Sequence, residues 1–286
     1  MQTYHCWIDD VVIATTTEEE FLQRLAALLD IALKFNFKFN LKKCKFLYQP
    51  SVVLGRYVGI AGMRPIEKHL LSIENFPIPK TVKQLQHFLG CGNWLRNFIL
   101  DYGVLSAPLH KLVATATANA GKLHWNDSDI AVFHRLRLAI VNHSSLVPFD
   151  SQRPIFVASD ACDTGYGGVV FHTGSDSASS IATDNKQLIS MVSGGFTKAQ
   201  LKWNTTEKEA YGFYMTIMSH SRYLSGRPFH IFTDHQALTY LTESVNAKVQ
   251  RWKLALQEYQ FKISHLPGER NLEPDSLSRL VHFMGQ

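Results

Sequence analysis

The sequence predicts a mixed α/β (α+β) protein in which helices dominate the first half and a mixed β-sheet dominates the second. Two observations predict this class. Before Asp150, capping signals precede runs of apolar residues at helical spacing. After Asp150, three successive strand patterns lead into alternating helices and strands, which is typical of a sheet with helices packed on it. At a prior of roughly 150 residues per domain, the 286 residues make about two domains, and the change of pattern puts their boundary near residue 150.

The composition is that of a globular protein, with 45% hydrophobic and 19% charged residues. No apolar run approaches the roughly 18 residues of a membrane span, and the first ten residues lack the basic and apolar regions of a signal peptide. We therefore expect a soluble, intracellular chain, cytoplasmic or nuclear, with no membrane partner. The four cysteines are too far apart for a C-x-x-C metal site or a dense disulfide framework.

The first 65 residues contain two hairpin patterns and one helix pattern. Residues 4–14 hold two short apolar segments around Asp9 and Asp10, so these acids are expected at the tip of a hairpin. Thr17 and Glu20 form a capping-box pattern ahead of leucines at helical spacing, which predicts a helix from about residue 18 to 35. Glycines punctuate the apolar residues 52–62, which predicts a second hairpin.

Most of the excess positive charge lies in the first half of the chain. The net charge is +5, and residues 1–150 hold 16 Lys/Arg against 12 Asp/Glu. One stretch without acids combines five lysines with four phenylalanines: Lys34, Lys38, Lys42, Lys43 and Lys45, and Phe35, Phe37, Phe39 and Phe46. Two interpretations fit this stretch equally well: a phosphate-binding face, or a solvated helix end and strand whose aromatic rings point to the core.

Two more helices are predicted before the domain boundary. Pro77 and Pro79 interrupt the chain ahead of Thr81 and Gln84, a second capping-box pattern that opens a helix. A further helix is expected from about Asp127.

The second half is predicted to begin with three strands, Ile155–Asp160, Gly167–Thr173 and Leu188–Phe196. Helices and strands then alternate. The helices are expected at Glu207–Leu224, His235–Leu241, Ala247–Tyr259 and from Pro274, and the strands at Phe229–Thr233 and Gln260–His265.

Four acids of the second half fall at the ends of these elements. Asp160 and Asp234 end two strands, whereas Glu209 lies in the first turn of the long helix and Asp275 opens the last one. Such positions can converge on one edge of a sheet. Four convergent carboxylates would repel each other unless cations neutralised them, and their hard oxygen ligands suit Mg²⁺. Two Mg²⁺ ions roughly 3.5–4 Å apart would activate a water and stabilise the leaving oxygen in phosphodiester cleavage.

Each acid taken alone also has a structural interpretation. Glu209 fits the third position of a capping box with Thr206, a role that does not exclude metal binding. Asp160 and Asp234 fit as caps, and Asp275 fits as a partner of the helix dipole. The order of all four acids on these elements favours the metal-binding interpretation, because coincidence explains it poorly.

Several motifs of the second half resemble the ribonuclease H (RNase H) domain of gypsy-type LTR-retrotransposon Pol polyproteins. These motifs are Ile155–Val170, Thr205–Ala210, Phe232–Leu238, Gln250–Trp252 and His265–Arg279. The resemblance covers nearly all of residues 151–281. It implies the RNase H fold and hydrolysis of the RNA strand of an RNA–DNA hybrid with two Mg²⁺ ions, for which Mn²⁺ can substitute.

The same resemblance implies that the catalytic, metal-binding acids are Asp160, Glu209, Asp234 and Asp275. One departure concerns the turn between Pro267 and Asn271, which is too short for the histidine-bearing loop of retroviral and cellular relatives. His265 precedes this turn and is given no role.

The first half resembles the reverse transcriptase of the same polyproteins. Trp7-Ile8-Asp9-Asp10 is similar to the Y-x-D-D hairpin, with tryptophan in place of tyrosine, and Leu54–Tyr57 is similar to the hairpin that contacts the primer. Phe76–Thr81 with Phe88–Ile99 resembles the thumb, and the segment from His124 resembles the connector. The resemblance implies three domains: a partial palm at 1–65, thumb and connector at 66–150, and an RNase H-like domain at 151–286.

Asp9 and Asp10 would then be two of the three metal-binding acids of a polymerase. The third acid and the fingers that bind the incoming nucleotide are expected upstream of residue 1. Two-metal nucleotidyl transfer needs a bridging carboxylate, so we expect this chain alone not to polymerise DNA, and the pair to be a polymerase remnant. The alternative is an unrelated hairpin tip.

Together these features predict an RNase H-type endonuclease of an RNA-directed DNA polymerase, acting on RNA–DNA hybrids. Nucleic acid is expected to contact Lys42, Lys43 and Lys45 of the basic stretch, and Arg251 of the second half. The runner-up is a catalytically inactive or co-opted remnant that binds nucleic acid through its basic half. The presence of all four acids favours the enzyme. A polymerase completed in trans by another subunit is a weaker third interpretation.

Overall fold

The protein is described from a computed structural model, which covers residues 4–46, 50–99, 102–119, 121–173, 186–233 and 246–265. The chain divides into two compact units, Met1–Ile60 and Ala61–Gln286. No helix in the described part of either unit is both long enough and apolar enough to cross a membrane.

The first unit consists of two hairpins and a helix. Strands β1 (Tyr4–Trp7) and β2 (Asp10–Ile13) pair antiparallel. Helix α1 (Glu18–Lys34) follows, then a 3-10 turn (Leu41–Lys43) and the antiparallel pair β3 (Ser51–Val53) and β4 (Arg56–Gly59). Both predicted hairpins and the predicted helix are confirmed.

The start of α1 differs from the predicted capping box in one bond. The Thr17 side chain accepts the N–H of Glu20 as expected. The Glu20 carboxylate, however, accepts hydrogen bonds from the backbone N–H and hydroxyl of Thr16, one residue before the cap. The bond from the Thr16 N–H is the main cause that lowers the pKa of Glu20. The helix therefore begins where predicted, but Thr16 and Thr17 share the reciprocal bonds of a capping box.

The first unit buries little of its apolar surface. Among its described residues, 4–46 and 50–60, Ala32 alone is buried. Fifteen of its large apolar side chains are exposed: Trp7, Ile8, Leu22, Leu29, Ile31, Leu33, Phe35, Phe37, Phe39, Leu41, Phe46, Val52, Leu54, Val58 and Ile60. Burial of apolar surface is the main favourable contribution to folding. Apolar burial within the first unit therefore contributes little to its stability.

The second unit begins with a strand and four helices. They are β5 (Gly62–Pro65), α2 (Glu67–Glu74), α3 (Val82–Leu95), α4 (Tyr102–Ala118) and α5 (Asp127–Val141), with a 3-10 turn at Arg96–Phe98. The predicted capping box of Thr81 and Gln84 opens α3, and a second box of Asn126 and Asp129 opens α5. Both predicted helices are thus confirmed.

A five-stranded sheet follows. Its strands are β6 (Ile155–Ala161), β7 (Gly165–Thr173), β8 (Lys186–Gly195), β9 (Phe229–Thr233) and β10 (Phe261–His265), in the order β10-β9-β6-β7-β8. The strands β6, β7 and β8 form an antiparallel meander, whereas β9 is parallel to both β6 and β10. The sequence prediction of a mixed sheet is confirmed.

Alternate residues of the sheet belong to two hydrophobic clusters, one on each face. In β6, Phe156 and Ala158 join a cluster with side chains of α3, α4 and α5, whereas Ile155 and Val157 join a cluster with the helices described next. Every residue of β6 up to Asp160 is buried, as expected for a central strand covered on both faces. The helices before residue 150 and the sheet after it share a core, and the predicted division at residue 150 stays a prediction.

Within the described residues of this half, three helices follow β8: α6 (Thr205–Ser219), α7 (Ser221–Leu224) and α8 (Ala247–Ala255). The sequence predicted α6 and α7 as one helix, but the helix is interrupted at His220. Its ring is buried and donates from Nδ1 to the carbonyl of Thr216 at 2.7 Å. The predicted helices His235–Leu241 and from Pro274 lie outside the described residues.

Candidate functional site

The end of β6 meets the first turns of α6. Asp160 pairs with Gly167 in the β6–β7 ladder and is 3% exposed. A β-carbon at Gly212 of α6 would lie 3.4 Å from the Asp160 carbonyl oxygen, so α6 rests on the backbone of Asp160. Glu209, 5% exposed, lies three residues before Gly212 on the same face of α6. The structure therefore places Asp160 and Glu209 on two elements in contact at the end of one strand.

The capping interpretations of both acids are wrong. Asp160 lies inside the strand, so it is not a cap. The cap of α6 is Asn204, whose side chain accepts the N–H of Glu207 at 2.8 Å while the Glu207 carboxylate accepts the N–H of Asn204 at 3.2 Å. Because α6 begins at Thr205, Glu209 occupies the fifth helical position, beyond the first turn in which it was predicted.

Glu207 connects α6 to α8, a role that the sequence did not predict. Its Oε1 atom accepts hydrogen bonds from the Asn246 side chain and from Lys248 Nζ, both at 3.0 Å. These bonds, the one from Lys248 first, lower the pKa of Glu207. These bonds therefore attach the start of α8 to Glu207, which lies two residues before Glu209 in α6. A local pattern does not show this contact, since residues 39 and 41 positions apart make it.

Lys208, between the two glutamates, is buried as well. Its Nζ atom lies 3.2 Å from Asp163 Oδ1, in the turn between β6 and β7, and 6.0 Å from the centre of the Phe196 ring. Three consecutive charged residues, Glu207, Lys208 and Glu209, are thus 8%, 7% and 5% exposed. No local pattern in the sequence marks Lys208, because its partner Asp163 lies 45 residues earlier in the chain.

The other two predicted acids, Asp234 and Asp275, lie outside the described residues, as does the side chain of His265. Strand β9 ends at Thr233, and its Phe232 lies opposite Ala158 of β6. Within the described residues, no group of three or more His, Cys, Asp or Glu side chains could hold a metal ion. The four-acid metal site therefore stays a prediction.

Asp9 and Asp10 lie at the tip of the first hairpin, as predicted. Asp10 begins β2 opposite Trp7, and Asp9 lies in the two-residue turn; both are exposed. Ile8 in this turn has a φ of 54° and is 92% exposed. This left-handed conformation is unfavourable for a β-branched residue, and such strain concentrates at functional sites.

The basic stretch of the first unit is exposed. Lys42 and Lys43 belong to the 3-10 turn that Asn40 caps, and Lys45 follows it. The four aromatic rings do not point to a core: Phe35, Phe37, Phe39 and Phe46 are 61%, 68%, 37% and 50% exposed. The interpretation with core-facing rings is therefore wrong, and lysines and aromatic rings share one solvent-facing segment.

Arg251 is exposed on α8. The neighbouring Trp252 contacts Trp203 and Tyr214, with ring centres 5.5 and 6.2 Å apart. Lys248 lies 4.8 Å above the Trp203 ring. The start of α8 thus places basic side chains beside an aromatic cluster that packs on α6.

Residues 150–259 match the family described as the RNase H-like domain found in reverse transcriptase. The chain is 29% identical over 281 residues to the retrovirus-related Pol polyprotein from transposon 297 of Drosophila melanogaster, covering 96% of this chain and 25% of that protein. It is 28% identical over 282 residues to the transposon Tf2-3 polyprotein of Schizosaccharomyces pombe, covering 96% and 20%. The chain thus spans a quarter or less of the length of these relatives.

Two solved structures resemble the chain in fold. A foamy viral protease-reverse transcriptase dRH in complex with double-stranded DNA has a TM-score of 0.77 at 20% identity, covering 92% of this chain and 46% of that one. The foamy viral protease-reverse transcriptase in complex with an RNA/DNA hybrid has a TM-score of 0.76 at 21% identity, covering 92% and 35%.

Proposed function

We propose that the chain cleaves the RNA strand of RNA–DNA hybrids, because residues 150–259 match the RNase H-like domain found in reverse transcriptase and the chain is similar to retrotransposon Pol polyproteins. One observation carries the proposal: Asp160 and Glu209 are both buried, on elements that touch at the end of β6. Carboxylates buried this deeply are typical of sites that bind a cation or a partner charge.

The strand register supports Asp234 as a third member of the site. Phe232 of β9 lies opposite Ala158 of β6 in a parallel pair. Asp160 follows Ala158 by two residues, and Asp234 follows Phe232 by two residues. Equal offsets on neighbouring parallel strands favour adjacent carboxylates. Asp275 is proposed as the fourth acid from its motif alone.

The donor set fits a hard divalent cation, because carboxylate oxygens are the ligands that Mg²⁺ prefers, with Mn²⁺ as a substitute. Two bound ions would supply an activated water and neutralise charge on the leaving oxygen. The contribution of the chain itself is to hold the ligands in place. Asp160 is fixed by the β6–β7 ladder and Glu209 by α6, so little needs to reorganise when charge develops.

The proposed partner is a nucleic-acid duplex. The foamy viral proteins with this fold were solved with double-stranded DNA and with an RNA/DNA hybrid. In this chain, Lys42, Lys43 and Lys45 form an exposed basic segment with interleaved rings, and Arg251 is exposed on α8. Lysine and arginine side chains bind the phosphates that a duplex presents along both strands.

The test is cleavage of an end-labelled RNA–DNA hybrid in Mg²⁺. Wild-type protein should cut the RNA strand, whereas Asp160→Asn and Asp234→Asn should lose activity by at least about a hundredfold, because each removes a ligand charge. The exposed Asp127→Asn, which makes the same chemical change in α5, should cut normally. Equal cutting of single-stranded RNA, or cutting that persists in EDTA, would refute the proposal.

A second candidate is a catalytically inactive remnant that binds nucleic acid. The exposed basic and aromatic segment of the first unit favours it, because this segment does not depend on the acids. In that case, wild type and Asp234→Asn would bind the hybrid equally and neither would cut it.

A further inference from the structure

Three consecutive charged residues in the first turns of α6 are buried, and two of them, Glu207 and Lys208, contact different parts of the chain. Glu207 bonds to the start of α8. Lys208 meets Asp163 in the β6–β7 turn, and Glu209 belongs to the candidate catalytic set. The proposed hydrolysis uses Glu209 and gives no role to Lys208, although burying a lysine is costly unless a counter-charge compensates it.

The ion pair of Lys208 is asymmetric. The lysine side chain is 9% exposed, whereas that of Asp163 is 74% exposed. The Lys208 side chain is therefore enclosed by the protein, and its Nζ atom pairs with a carboxylate whose own side chain is largely exposed. The Phe196 ring, 6.0 Å from Nζ, closes the other side. Such a lysine has little freedom to choose another partner.

Asp163 belongs to the hydrogen-bonded turn that follows Asp160 in the chain. Cys162 donates its N–H to the Gly165 carbonyl at 2.9 Å, and the Thr164 carbonyl accepts the N–H of Phe196 at 2.8 Å. Asp163 lies three residues after Asp160, and Lys208 lies one residue before Glu209. A single ion pair thus joins the segment that follows one candidate metal ligand to the residue that precedes the other.

We infer that Lys208 is a positioning residue: through Asp163 it holds the β6–β7 turn against α6 and thereby sets the separation of the Asp160 and Glu209 carboxylates, and with it the affinity of the site for a divalent cation. This inference rests on the proposed function of those two acids. It assigns Lys208 no contact with substrate or metal.

The sign of the effect on metal affinity separates positioning from simple electrostatics. A lysine near a cation site repels the cation, so removing its charge alone should tighten binding. Loss of a positioning contact should weaken binding, typically about tenfold or more for residues that orient metal ligands. A purely structural role would lower thermal stability and leave the affinity of the folded protein unchanged.

The experiment measures Mn²⁺ binding by the full chain through the electron paramagnetic resonance signal of free Mn²⁺, with thermal unfolding and hybrid cleavage in parallel. Lys208→Met should raise the Kd for Mn²⁺ about tenfold, and Asp163→Asn should do the same. The double variant should be no worse than either single one, because both remove one interaction. Lys208→Arg, which keeps the positive charge that pairs with Asp163, should recover part of the affinity that Lys208→Met loses, and Lys202→Met, at an exposed position ahead of α6, should change nothing.

Each outcome supports or overturns the inference. A Kd that falls or stays unchanged in Lys208→Met and Asp163→Asn overturns it, even if stability drops. If Lys208→Met does not fold, Lys208→Gln takes its place, because the sign argument holds for loss of the positive charge and not for loss of the Asp163 carboxylate. Wild type that binds Mn²⁺ in a Lys208-dependent way without cutting the hybrid would refute the proposed function and leave the positioning role supported. Wild type that binds no Mn²⁺ would overturn both.

Discussion

The backbone N–H of Gly103 donates a hydrogen bond to the hydroxyl of Ser193 at 2.9 Å and so fixes the start of α4 on strand β8. The guanidinium of Arg96 donates to the carbonyl of the same serine at 3.1 Å. A β-carbon at position 103 would lie 2.7 Å from that carbonyl oxygen and 2.8 Å from Gly194 Cα. The helical segment and the sheet therefore approach each other at a point where only glycine fits.

Gly103→Ala should lower the free energy of unfolding by about 1–3 kcal/mol, because the new methyl group meets backbone atoms that cannot easily move. Urea unfolding at neutral pH measures this. Gly90→Ala is the matched control: nothing lies within 4 Å of its β-carbon and it is exposed in α3, so it should stabilise by up to about 1 kcal/mol. Equal effects of the two variants would show that the contact is not tight.

Phe133→Ala should destabilise the second unit by about 3–5 kcal/mol. Phe133 is fully buried, and its ring centre lies 4.6 Å from that of Phe88. Phe37→Ala, in the first unit, should change stability by less than about 0.5 kcal/mol, because Phe37 is 68% exposed. Thermal unfolding of both variants, followed by near-ultraviolet circular dichroism, makes the comparison. A large loss for Phe37→Ala would mean that its ring is covered in solution.

The buried His220 should make the protein lose stability in acid. Burial lowers the pKa of His220 to about 4, against an ordinary value of 6.5. The unfolded chain therefore binds a proton more readily than the folded one between these two values. The neutral His220 therefore makes its full contribution to the free energy of unfolding above about pH 6.5. This contribution, at most about 3 kcal/mol, is lost as the pH falls towards 4.

Unfolding free energies measured from pH 7 to pH 4.5 should show this loss in wild type and a smaller loss in His220→Asn. The asparagine amide can replace the bond to the Thr216 carbonyl but does not titrate. His124→Asn, at an exposed position, should keep the wild-type slope. An unchanged pH dependence in His220→Asn would contradict the lowered pKa.

Replacement of Lys42, Lys43 and Lys45 by alanine should weaken hybrid binding and make its salt dependence shallower. On a B-form duplex, each neutralised phosphate contributes roughly −0.9 to the slope of log K against log salt. A control triple variant of Lys68, Lys111 and Lys122 removes the same charge from other exposed positions. Fluorescence anisotropy of the labelled hybrid between about 50 and 200 mM salt measures the two slopes. Identical slopes would show that the lysines are only solvated.

Local signals predicted the starts of α1, α3, α5 and α8, but they did not predict α2 or α4, and they misplaced the start of α6. Thr81 and Gln84 form one unambiguous capping pattern, and α3 begins there. At α6 two such patterns overlap, Asn204 with Glu207 and Thr206 with Glu209. Sequence alone does not choose between them. The bonds of Glu207 to Asn246 and Lys248 favour the first, and these form only when α8 packs on α6.

The sequence identified candidate site residues by residue type and position along the chain. It did not identify the residues that become part of the site only through packing. Asp160 and Glu209 were identified by residue type and position, and the structure brings their elements together. The pair of Lys208 with Asp163 was missed, since neither residue stands out locally. The exposure of Phe35 and Phe37 was likewise not predictable, because hydrophobic spacing shows that a face is apolar but not what covers it.

The parallel pairing of β6 with β9 has a consequence for the order of folding. The meander of β6, β7 and β8 joins segments that are close in the chain, whereas Ile155 of β6 must find Phe229 of β9 more than 70 residues later. Closing such a long loop is slow, so we expect the meander to form early and β9 to dock late. Until then the open edge of β6 offers unpaired backbone groups to any other strand. The kinetic cost of this topology is thus a transient risk of aggregation at the very strand that carries Asp160.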